Sequence, residues 1–80
     1  MNQTLEFSRH EEMDRLAAEV RKHLNGRLWG FQLLVHSQGL VLRGETHSFH
    51  AKQLAQHLVM KVTEVPILAN EIVVTCSYEI

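Results

Sequence analysis

Histidine is the residue type in this chain best suited to chemistry: His10, His23, His36, His47, His50 and His57 make six in 80 residues. Two imidazoles bind one metal ion only if they sit close together and other ligands complete the coordination. His50 and His57 share a helix face, but seven residues at about 1.5 Å each hold them about 10 Å apart, too far for one ion. His47 and His50 are three apart and would need a helix running back through His47, and no acidic residue or cysteine completes a set with them. The histidines are expected on solvated surfaces, and no metal or other cofactor is expected.

Covalent or acid–base catalysis needs a nucleophile or a carboxylate pair beside a tuned base. Ser48 stands where a helix needs a cap, Cys76 lies in an alternating strand, and Glu6, Glu11, Glu12, Asp14 and Glu19 lie on a helix and its approach. Gly26, Gly30, Gly39 and Gly44 are turn glycines and never approach the spacing of a phosphate-binding loop. No enzymatic activity is expected.

What remains is binding. Phe49 and Met60 project from the side of a helix opposite its apolar stripe, with Lys52 and Lys61 on the flanks. An aromatic and a thioether framed by cations suit a lipid surface or a protein partner. Arg27-Leu28-Trp29 is a second candidate, because tryptophan beside a cation suits the membrane interface.

These side chains need elements to hold them. From 51 to 62, Ala51, Leu54, Ala55, Leu58, Val59 and Val62 fall on an arc of roughly 140°, the stripe of a helix lying on a sheet. Ser48, or Thr46 before it, caps its start, and Thr63-Glu64-Val65-Pro66 ends it, since proline lacks the N–H and pushes its predecessor out of the helical region. Apolar strands flank this helix, Leu40 to Gly44 before it and a stretch ending in Ile72, Val74 and Cys76 after it. Strand, helix and strand make a crossover unit, so the two strands should run parallel.

Upstream, Ser8-Arg9-His10-Glu11 has the pattern of a capping box. A helix over about 9 to 24 is expected, burying Met13, Leu16, Ala17, Val20 and Leu24 and stopped by Asn25-Gly26. Gly26 to Gly30 turn the chain into a first strand, Phe31 to His36, and Ser37-Gln38-Gly39 folds it back as an antiparallel hairpin. The expected fold is a single small α+β domain over 1–80, core about 9–76, in the order α-β-β-α-β: a three-stranded sheet with both helices on one face.

Composition agrees with one small globule. Forty-five per cent hydrophobic content without low-complexity runs supports a packed core. A net charge of −1 with scattered Lys and Arg offers no footprint for nucleic acid, whose affinity rests on many phosphate contacts. The start of the chain has neither the basic nor the apolar region of a secretory leader, so as written it is expected to stay where it is made, in the cytoplasm. Within a longer protein it could equally be periplasmic or membrane-attached.

The pattern of core and turn residues resembles the BON domain, a bacterial module named from osmotically inducible and nodulation proteins. Leu40, Leu42, Gly44, Ser48, Ala55, Val62, Val65, Leu68, Asn70, Ile72 and Val74 fall on that family's positions without a gap, and Phe31, Leu33 and Val35 occupy its first strand. Ser37-Gln38 replaces the family's Asp-Gly turn, and Glu64 replaces the glycine before Val65. The resemblance implies a non-enzymatic module that associates with phospholipid membranes or with envelope partners.

A sheet with both helices on one face leaves its other face open. Alternation turns Leu34, Val41 and Val73 outward, where they are expected to form one exposed apolar strip and to support weak self-association, unless Leu5 and Phe7 cover it.

Overall fold

The computed structural model describes residues 2–75, with side chains from Glu11 onward. Its elements are α1 (Asn2–His23), β1 (Leu28–His36), β2 (Gly39–Thr46), α2 (Phe49–Val62), β3 (Ile67–Asn70) and β4 (Val73–Val74). This is the expected α+β domain, with two helices on a mixed sheet. β1 and β2 form an antiparallel hairpin across Ser37-Gln38, and β3 and β4 both run parallel to β2 on its other side.

A single core accounts for the layering. Met13, Leu16, Ala17, Val20 and Leu24, from α1 and the residue that follows it, join Ala55 and Val59 of α2, Leu28, Phe31, Leu40 and Leu42 of the hairpin, and Ile72. Both helices therefore cover the same face of the sheet.

Ser48 caps α2 as expected, its hydroxyl accepting the N–H of Ala51 at 3.1 Å. The helix ends at Thr63, whose extended backbone leads to Pro66. Of its stripe, Ala51, Ala55 and Val59 are buried and Leu54 and Leu58 partly so, but Val62 is 70% exposed. The stripe therefore fails at its last residue, which stands beside an open groove against Leu16 and Glu19 of α1.

Three further expectations are corrected. α1 begins at Asn2, so Ser8 lies within the helix and makes no capping box at its start; from Asn2 to His23 no glycine or proline interrupts a run rich in good helix formers. Leu5 and Phe7 belong to this helix, and their side chains lie outside the described ones. β1 begins at Leu28 instead of Phe31, because Gly30, at φ 60°, is absorbed into the strand where the register shifts between Trp29 and Gln32. The last strand starts at Ile67 and is broken at Glu71-Ile72; Cys76, expected in that strand, lies outside the described residues.

The break has a cause. Asn70 Oδ1 accepts the N–H of Ile72 at 3.2 Å, a local turn that competes with the ladder. Its Nδ2 donates to the carbonyl of Lys52 at 3.2 Å and to Gln56 Oε1 at 3.1 Å, tying the strand to α2.

Candidate functional site

Pairing of Leu28 with Thr46, both buried, fixes the core-facing side of the hairpin. The next pair, Trp29 with Glu45, therefore points to the open side, as does Val73, which pairs with Glu45 from the other edge. Trp29, Glu45 and Val73 make a row across three strands. Trp29 is 44% and Val73 53% exposed.

The same end of the sheet gathers the start of α2. The Trp29 and His47 rings meet edge to face with centroids 5.1 Å apart. His47 is itself fixed by donating Nδ1–H to the carbonyl of Thr75 at 2.8 Å. Phe49, two residues further, is 61% exposed. Arg27 joins through its backbone, its carbonyl accepting the hydroxyl of buried Thr46. Thr46 also accepts the N–H of Ser48, so one buried hydroxyl links the entry to β1 with the entry to α2.

The structure thus regroups the candidates. Phe49 and Met60 do not form one patch: eleven residues put them about 16 Å apart along α2. Met60, 59% exposed, stands at the far end with Lys61, and Lys52 is half-buried. Phe49 instead shares its end of the molecule with Trp29 and Arg27. Sequence spacing could not show this, because it depends on the β1–β2 register, and the visible hint was glycine inside an aromatic stretch, which marks a bulge.

Beside Trp29 the open face holds a depression of about 660 Å³, bordered by Gly30, Gln32, Arg43, Glu71 and Val73. Arg43 Nε donates to Glu71 Oε1 at 3.0 Å, an exposed pair contributing about 0 to 1 kcal/mol. Gly44 faces the bulge: a Cβ there would meet the carbonyl oxygen of Trp29 at 3.1 Å and Phe31 Cα at 3.3 Å.

The expected apolar strip is also corrected. Leu34 pairs with Val41 and Val41 with Ala69, but Val73 pairs with Glu45, four residues further along β2. Gln32, Arg43 and Glu71 lie between. Leu34 is half-buried and Val41 only 8% exposed, since the central strand is flanked on both sides.

Among the described residues no three His, Cys, Asp or Glu side chains converge as metal ligands, and no helix is long and apolar enough to cross a membrane. No family model, curated protein or solved structure matches the chain.

Proposed function

We propose that this domain is a non-enzymatic binding module that docks on a phospholipid surface through the end carrying Trp29, Phe49 and Val73, with Arg27 beside them. One observation carries the proposal: of the exposed large apolar side chains, Trp29, Phe49 and Val73, 44%, 61% and 53% exposed, belong to elements that meet at one end of the sheet, whereas Val35, Met60, Val62 and Leu68 are exposed at separate places. Aromatic rings at such a tip enter the headgroup boundary, and the cation meets lipid phosphate. The resemblance of the core pattern to BON domains supports the same reading. With a net charge of −1, affinity should come from insertion of the apolar tip more than from attraction to anionic lipid.

Co-sedimentation with vesicles of phosphatidylcholine alone and mixed with phosphatidylglycerol tests it. Wild type should sediment with both, Trp29→Ala and Phe49→Ala should lose most binding, and Met60→Ala should keep it. A wild type that binds neither vesicle, or a Met60→Ala variant as defective as Trp29→Ala, would overturn the proposal.

A further inference from the structure

The sheet order places β1 at one edge and β3 with β4 at the other. Edge strands expose unpaired peptide groups and are normally guarded by proline, charge, shortness or irregularity. The far edge is guarded: β3 has four residues and follows Pro66, and β4 has two. β1 runs for nine residues, Leu28 to His36, without one charged residue or proline, and its bulge at Gly30 leaves Gln32 to His36 as a regular edge.

Peptide directions along β1 follow from its neighbour. Leu40 N–H donates to the carbonyl of Pro66, and the carbonyl of Leu42 accepts from the N–H of Glu71, so both residues turn their peptide groups toward β3. Their partners across the hairpin are Val35 and Leu33. In an antiparallel ladder these are the non-hydrogen-bonded pairs, so Leu33 and Val35 direct N–H and C=O away from the sheet. Phe31 obeys the same alternation, and its outward carbonyl is taken by Arg21 Nε at 3.2 Å. Among the described residues nothing pairs with the outward groups of Leu33 and Val35.

We infer that β1 pairs antiparallel with β1 of a second copy, with the two-fold axis at Leu34. In that register Leu33 and Val35 of each chain exchange both hydrogen bonds with Val35 and Leu33 of the other, giving four bonds while leaving the Arg21–Phe31 contact intact. The strand complements itself. On the core side Val35, 39% exposed, meets half-buried Leu33 of the second copy. On the open side Leu34 meets Leu34, extending the row through Val41 and Ala69 into the second sheet, and Gln32 meets His36. No like charges oppose one another, and a closed isologous dimer leaves no further β1 edge to propagate. The occupied surface is the strand edge, which places association elsewhere than on the broken apolar strip.

Sedimentation equilibrium from micromolar to millimolar concentration tests this, alongside amide hydrogen exchange by NMR. Wild type should approach twice the monomer mass. The amides of Leu33 and Val35 should gain protection as concentration rises, while those of Gln32, Leu34 and His36 are protected throughout. Val35→Pro removes only an outward N–H, and Val35→Lys places a charge on the edge without altering the backbone; both should be folded monomers by circular dichroism and mass. A wild type monomeric at millimolar concentration, a dimer that survives in both variants, or a dimer without added protection at Leu33 and Val35 would overturn the inference.

Discussion

Replacing Asn70 by alanine should show how far one side chain holds the crossover strand to its helix. The amide makes three bonds: to the Lys52 carbonyl, to Gln56 Oε1 and from the Ile72 N–H. These are not equal. Gln56 is only half-buried and can be hydrated again, and the Lys52 carbonyl lies within α2, where the helix ladder also uses it. The Ile72 N–H has no such alternative, since Ile72 is 1% exposed, and leaving such a donor unsatisfied costs about 1 to 3 kcal/mol. Adding about 0.5 to 1 kcal/mol for the bonds to α2 gives a loss of about 1.5 to 4 kcal/mol. For a domain of this size, at about 4 to 8 °C per kcal/mol, that lowers Tm by about 6 to 30 °C. Chemical denaturation of Asn70→Ala and Gln56→Ala, each checked against thermal melting, would measure it. Gln56→Ala should cost less than about 1 kcal/mol. An Asn70→Ala variant within about 0.5 kcal/mol of wild type would refute the reasoning, because it would mean that the Ile72 N–H finds water or another acceptor.

Two other positions give similarly direct expectations. A Cβ added at Gly39 would stand 2.5 Å from the Pro66 carbonyl oxygen and 2.8 Å from Leu68 Cγ, so Gly39→Ala must push β3 away and should destabilise by about 2 to 3 kcal/mol in urea denaturation; a neutral effect would show that β3 shifts freely. Ser48→Ala removes the acceptor for the Ala51 N–H and should cost about 1 kcal/mol, with Ser48→Asp recovering most of it in the same measurement.

These residues also show what the sequence made legible. Helix α2 was readable because its limits are local: a hydroxyl at one end, a proline at the other, and apolar spacing between them. The parallel relation of β2 and β3 followed from the length of that crossover. What stayed hidden depends on contacts between distant segments. Ser8 and Glu11 have the pattern of a cap, yet a helix without an internal breaker runs through them to Asn2. Val62 has helical spacing with the core, but it stands beside an open groove against Leu16 and Glu19 of α1 and stays 70% exposed. The regrouping of Trp29 with Phe49, and the separation of Val73 from Val41, both follow from a bulge at Gly30 and a break after Asn70. Each shifts the register of a strand, and period-two patterning assumes that the register is kept.

The proposed strand pairing and the proposed surface docking would constrain one another through symmetry. A two-fold axis through Leu34, perpendicular to the sheet, keeps both open faces on one side and both helix layers on the other. Trp29 lies five residues from that axis, so the two tryptophans of a pair stand about 30 Å apart at opposite ends of one extended face. They point toward the same side because Trp29 belongs to the row with Glu45 and Val73 on the open face. A flat lipid surface lying along the open face would then meet both Trp29–Val73 rows at once, and the second contact would become intramolecular once the first is made. A site on the helix side could not gain in this way from α2 alone, since Phe49 projects from its first turn at the sheet end while Met60 lies a helix length away. Two individually weak aromatic tips would hold a bilayer together more firmly than either does, without any excess of positive charge.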